Sequence, residues 1–263
     1  MKRGIVDYRI VDEISRKLEC LRREHKSIFH LFNNGKQEAL KREAIIHSYK
    51  IENPGSFQGE TINYVCHPSP KLVREGIRNL TGAFNWGMKH FDPKKINPSL
   101  IQGITARVDP DAHNHENVAD YRDVKAWIKG ASWRPPIPSE IKGEMELYCS
   151  ELRETLKDNN IRAILEASAY AHLHLDRIHP FKDGNGRTAR TFQNIILMAN
   201  DLPPTIIYPG ERRDYYLHLQ GAIEDWQSNG GHAAIDKSSI TTKEREFYDY
   251  IAGRVSVSLD RIL

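Results

Sequence analysis

The sequence predicts a mainly α-helical fold with one small β-hairpin, on three observations. Apolar residues recur at three- and four-residue spacing through most of the 263 residues. The segments that carry them are separated by strong breakers: Asn33-Asn34-Gly35, Pro54-Gly55, Asn159-Asn160, Pro203-Pro204 and Gly230-Gly231. Only Tyr121–Pro138 changes character, with β-branched and aromatic residues around a glycine and then a proline pair, a composition that fits a hairpin.

Taken in order, Ile10, Ile14, Leu18, Leu21, Ile28, Leu31 and Phe32 mark a first helical region over residues 5–32. A second helix is expected from about Lys36 to Pro54. Near its end Ser48 and Glu52 lie four apart and so share a face, and Asn53 is placed to close the helix in a left-handed conformation. Residues 56–70 read as a loop. Leu72, Val73, Ile77, Leu80, Phe84 and Met88 predict a third helix, and Pro98 opens a short fourth. Ser139 is the expected N-cap of a helix carrying Ile141, Met145, Tyr148 and Leu152. The next helix begins after Asn160, with Ile164, Leu165, Ser168, His172 and Leu175 along one face. Phe192, Ile195, Ile196 and Ala199 repeat at core spacing beyond it, and residues 211–226 and 241–263 complete the helical set.

Composition excludes more than it assigns. Charged residues make up 28% and apolar residues 39%, which is ordinary for a globular protein, and a formal charge of +3 is too small to argue for a nucleic-acid or membrane footprint. Cys20, Cys66 and Cys149 are odd in number and far apart, in no metal-ligand spacing. With no N-terminal apolar run like a signal peptide and no span long enough to cross a bilayer, the expectation is a cytoplasmic protein.

The chemistry concentrates in His179–Arg190, HPFKDGNGRTAR. A loop that turns into a helix exposes the unpaired N–H groups of the first turn, which favour anions. Gly184 and Gly186 let the backbone approach a ligand, and Asn185 offers an amide between them. Arg187 and Arg190, three apart, are placed to face one polyphosphate. Asp183 can hold a magnesium ion, and His179 titrates near neutrality and can deprotonate an attacking hydroxyl. Each residue alone has a structural explanation; their concurrence in one short stretch favours function. Elsewhere, Asp109, Asp111, His113, His115 and Glu116 read as a solvated polar loop rather than a metal site. His172, His174 and His179 share no helical face. Tyr215 and Tyr216 fit the border of a nucleotide base or the core equally well. Lys17, Arg22 and Arg23 read as a solvated face.

HPFKDGNGRTAR resembles the signature of the Fic domain, with every fixed position present, and AHLHLDRI before it is similar to the family's approach helix, His172 standing at its recurrent histidine. The resemblance implies a Fic fold: a helical bundle with a β-hairpin flap beside the active-site loop. It divides the chain into an N-terminal helical region (1–70) with an inhibitory helix, a core (71–228) and a C-terminal helical extension (229–263). It further implies protein adenylylation: ATP gives AMP to a Ser, Thr or Tyr hydroxyl of a target protein or of the chain itself. His179 would be the base, Asp183 the Mg2+ ligand, and Gly184, Asn185, Gly186 and Arg187 the phosphate grip. Arg190 would reach the γ-phosphate. The segment Val124–Pro136 resembles the flap that pairs with a target peptide, with Trp127 and Ile128 as clamp residues or as plain core cover. Ser48-Tyr-Lys-Ile-Glu52-Asn53 matches the family's inhibitory pattern, in which Glu52 would pair with Arg190. The alternatives are AMP removal or transfer of another phosphate-containing group on the same fold, or a non-catalytic nucleotide sensor. A homodimer is an expectation by analogy only, and no nucleic-acid module is recognisable.

Overall fold

The computed structural model describes residues 4–24, 35–53, 70–112, 118–128, 131–231 and 239–263. Among them are nine α-helices: α1 (Tyr8–Glu24), α2 (Gly35–Glu52), α3 (Pro70–His90), α4 (Pro98–Val108), α5 (Ile141–Thr155), α6 (Ile161–Ile178), α7 (Asn185–Ala199), α8 (Arg212–Ser228) and α9 (Thr242–Asp260). The expected helical period is therefore realised wherever it was read within the described residues. The end of the first expected region, the 56–69 loop and His113, His115 and Glu116 lie outside them, as does Cys66.

Helix α6 is the axis of the bundle. Every residue from Ala163 to Ile178 is buried, so the single apolar face expected for it is a correction: the helix is enclosed on all sides. Alanines at 163, 167, 169 and 171 leave room for that close packing. Around α6 stand α5, α7, α8 and α9, while α2, α3 and α4 pack on the α7 side. Short polar side chains fix several starts: Asn97 accepts from the Leu100 N–H at 3.1 Å, Asn160 from Ala163 at 3.0 Å and Thr241 from Glu244 at 3.2 Å. Ser139 does not cap α5, because the chain first makes a 3-10 turn over Pro138–Glu140 and enters the helix at Ile141. Helix α1 packs on α9, and Lys17 is drawn out of the solvated face expected for it by Glu13 and Asp260, both at 2.7 Å. No helix of the described residues is long and apolar enough to cross a membrane.

The expected β-hairpin is not formed. Among the described residues of 121–138 there is no strand; residues 129–130 lie outside them. Backbone groups of Ser132 and Arg134 are taken by α8 instead. Glu224 accepts from the Ser132 N–H at 3.2 Å, and Gln227 accepts from the Arg134 N–H at 3.4 Å and donates to its carbonyl at 2.8 Å. An isolated two-stranded ribbon has little stability of its own, so side-chain partners on a helix suffice to replace it.

Candidate active site

His179 ends α6 and begins the loop. It occupies the left-handed region, φ 49° and ψ 55°, where its N–H bonds to the Leu175 carbonyl at 2.9 Å. That conformation turns the chain sharply away from the helix and costs a non-glycine residue about 1–2 kcal/mol. Phe181, fully buried, anchors the loop. Gly184 then takes φ 81° and ψ 3°, and α7 starts at Asn185. The first intrahelical bond into this turn is Thr188 N–H to Gly184 C=O at 2.8 Å. The N–H groups of Asn185, Gly186 and Arg187 precede it at the positive end of the helix, which is an anion-binding arrangement.

These groups open on a cavity of about 490 Å3 bordered by His179, Asp183, Arg187, Glu52 and Tyr49, with α3 closing the far side. Burial lowers the His179 pKa below its ordinary 6.5, opposed by Asp176 and Glu52 and assisted by the Arg122 charge. At neutral pH the imidazole is therefore unprotonated, as a general base must be. Asp183 is held below the usual carboxylate range: desolvation raises its pKa, but Arg187, at 3.1 Å, and the Gly184 N–H, at 2.6 Å, outweigh it. Its side chain is 65% exposed. An exposed, ionised carboxylate at the cavity edge suits Mg2+, which binds through one or two carboxylates plus substrate phosphates. Among the described residues no three His, Cys, Asp or Glu side chains cluster as a metal site of their own.

Two residues of the loop behave differently from expectation. The Asn185 side chain does not face the cavity as a phosphate amide: it accepts from the Phe181 N–H at 2.9 Å and donates to the Phe181 carbonyl at 2.8 Å, closing the loop on itself. Asn185 can offer an anion only its backbone. Arg190 does not border the cavity beside Arg187; it is 4% exposed and covered by α2. Its Nε donates to Ser48 Oγ at 3.0 Å, Nη2 to the Ser48 carbonyl at 3.2 Å and to Glu52 Oε1 at 2.7 Å, and Nη1 to Tyr215 OH at 3.1 Å. Gly186 makes the Glu52 approach possible, since a Cβ there would fall 2.6 Å from Glu52 Oε1. Asn53 closes α2 without the left-handed turn expected of it: its Nδ2 and N–H both reach the Tyr49 carbonyl at 3.1 Å.

Three contributors were missed in the sequence. Asp109, set aside there as part of a solvated loop, caps the end of α4 and pairs with Arg187 at 2.9 Å. Tyr215 takes the core place that was one of its two readings, fully buried, and its hydrogen bond to Arg190 is the part the sequence did not show. Arg122, 3% exposed, holds the loop and the 124–136 segment together. It donates to the carbonyls of His179 at 2.7 Å, Val124 at 2.8 Å and Pro136 at 2.6 Å, and its own N–H bonds to Pro180 at 2.9 Å. Beyond that staple Trp127 is 69% exposed, with the Arg134 guanidinium 4.4 Å from its ring, while Ile128 packs against the core. Since charged hydrogen bonds contribute about 1.5–3 kcal/mol each before relaxation, Arg122→Met is expected to cost on the order of 3 kcal/mol. Urea unfolding that gives the variant wild-type stability would contradict the staple.

Fold and loop together define a helical domain in which the first turn of α7 and the His179 imidazole border one cavity. Known proteins agree. The Fic/DOC family model matches residues 92–197, and this segment is a Fic domain. The chain is 36% identical over 140 residues to the protein adenylyltransferase Fic of Nematostella vectensis, covering 49% of this chain and 32% of that protein. A Fic domain containing signaling protein from Bacteroides thetaiotaomicron shares the fold with a TM-score of 0.70 at 19% identity, over 96% of this chain and 95% of that one. Fic-1 from C. elegans does so with a TM-score of 0.65 at 22% identity, over 95% of this chain and 71% of that one. This chain spans about a third of the length of the Nematostella relative, 32%, and 44% of the Drosophila sechellia one.

Proposed function

We propose that the chain transfers AMP from ATP to a Ser, Thr or Tyr hydroxyl of a protein, and that Glu52 holds this activity off. The observation that carries the reading is the 2.7 Å Glu52–Arg190 ion pair beside the cavity that His179 and Asp183 border. The name of the Nematostella relative, a protein adenylyltransferase, supports the same chemistry.

In this reading the triphosphate lies across the start of α7, gripped by the Gly184–Arg187 backbone and by Arg187 once that arginine exchanges Asp109 and Asp183 for phosphate oxygens. Mg2+ held by Asp183 would neutralise phosphate charge. His179 takes the proton of the acceptor hydroxyl as its oxygen bonds to the α-phosphorus, and the bond to pyrophosphate breaks. Positioning and charge compensation carry most of the rate. Arg190 binds the γ-phosphate in the active state, so Glu52 must leave it first. The inhibitory unit is Ser48, Glu52 and Asn53 on α2 within residues 1–70, acting on a core of 71–228, with 229–263 as an extension. Trp127, the exposed residue of the 124–136 segment, is the target contact; Ile128 supports it from the core side.

Glu52 borders the same cavity as His179, which favours AMP removal by a Glu52-oriented water as the second reading. Incubation with ATP and Mg2+, followed by mass spectrometry, separates the readings from other group transfers. An AMP adduct on a hydroxyl residue supports transfer, loss of AMP from an adenylylated protein supports removal, and a phosphate adduct overturns both. Because burial lowers the His179 pKa from 6.5, the transfer rate is expected to stay level from neutrality through pH 6.5 and to fall only below it, as the base becomes protonated. A pH–rate profile whose acidic limb lies above 6.5 would contradict His179 as the base.

A further inference from the structure

A chain of buried polar side chains runs behind Arg190, away from the cavity. A guanidinium only donates, so the Tyr215 oxygen accepts from Arg190 Nη1, at 3.1 Å. The other hydrogen-bond neighbour of this hydroxyl is His172 Nε2, at 2.9 Å. Asp176 Oδ2 lies 3.4 Å from the same nitrogen but makes no hydrogen bond. An amide oxygen only accepts, so His172 Nδ1 donates to Gln193 Oε1, at 2.5 Å. The carboxamide then presents its nitrogen to Thr205 Oγ1, whose own proton goes to Asn194 Oδ1 at 2.9 Å. Tyr215, His172 and Gln193 are fully buried and Thr205 is 3% exposed, so no water competes for these directions.

Three of the four Arg190 hydrogen bonds go to α2, at Ser48 and Glu52; the fourth goes to Tyr215 on α8. Withdrawal of Glu52 removes one α2 contact and leaves Ser48 on one side of the guanidinium and Tyr215 on the other. We propose that Tyr215, backed by His172 and Gln193, is the positioning residue that keeps Arg190 aimed at the γ-phosphate after Glu52 has withdrawn. The released arginine is then already ordered, and ATP does not have to immobilise a free guanidinium on binding. This inference rests on the proposed function, in which Arg190 takes the γ-phosphate and Glu52 competes for it.

The test is Tyr215→Phe in the Glu52→Gly background. The substitution deletes one oxygen and keeps the ring. Affinities for ATP and for AMP, which lacks the phosphate Arg190 would meet, are measured by calorimetry beside the melting temperature. Loss of a hydrogen bond to a charged group predicts about tenfold weaker ATP binding, with a matching loss of transfer. AMP binding is expected to stay unchanged. ATP and AMP weakened alike, or neither weakened, would overturn the inference, the first because it marks a general structural role. If Glu52→Gly alone does not raise transfer, the switch reading falls, while the difference between ATP and AMP still decides whether Tyr215 positions Arg190.

Discussion

Glu52→Gly is expected to raise AMP transfer by about tenfold to a hundredfold, because the pair it removes competes directly with the nucleotide for Arg190. Arg190 is buried and Glu52 is 32% exposed, so the pair is neither a free surface contact nor a fully dry one. Surface pairs contribute about 0–1 kcal/mol, whereas a hydrogen bond to a charged group in a partly dry site contributes about 1.5–3 kcal/mol net. The second range applies here, and about 1.4 kcal/mol corresponds to tenfold. Glycine at the last residue of α2 disturbs little of the helix, and Arg190 keeps Ser48 and Tyr215 as partners. Glu52→Gln tests the charge separately. Its amide oxygen can still accept from Arg190, so its rise in initial rate is expected to be smaller than that of the glycine variant. Equal rates in wild type and Glu52→Gly would exclude the brake.

His179→Ala is expected to remove about 10²–10⁴-fold of the transfer rate in the Glu52→Gly background while nucleotide binding persists. In the proposed function the phosphate grip is the start of α7 with Arg187, whereas His179 stands at the other end of the loop, at the end of α6. The two functions therefore separate by mutation. Alanine also has to adopt the left-handed φ of 49° that His179 adopts, so melting temperatures are compared alongside. A non-catalytic nucleotide sensor would show ATP affinity with no His179-dependent product, and that result would replace the enzyme reading.

Much of this site was legible because its chemistry is contiguous. His179, Asp183, the two glycines and the two arginines fall within the twelve residues from His179, and a helix start is readable from local sequence alone. Glu52 was legible for a different reason: the Ser48–Glu52 spacing puts both on one face of α2, and resemblance to the Fic pattern named Arg190 as the partner. Asp109, Arg122 and Tyr215 were not legible, since each reaches the site through tertiary packing from a segment with no motif of its own. Arg122 in particular looked like one more charged residue among many. The failures have the same root. The composition of 121–138 suits a ribbon, yet α8 supplies Glu224 and Gln227 to its backbone. Asn185 reads as a ligand amide until the Phe181 backbone is found beside it. Local sequence constrains what a residue can bond; the fold decides which partner arrives.

The central claim is that this site moves AMP, and that Glu52 decides when. Parallel incubations of wild type, Glu52→Gly and Glu52→Gly/His179→Ala with ATP labelled at either the α- or the γ-phosphate test it in one gel. The account predicts protein-bound label from α-labelled ATP in Glu52→Gly, little in wild type, none in the double variant, and none from γ-labelled ATP in any of them. Label arriving from the γ-position, or equally strong α-label in wild type and Glu52→Gly, would contradict it.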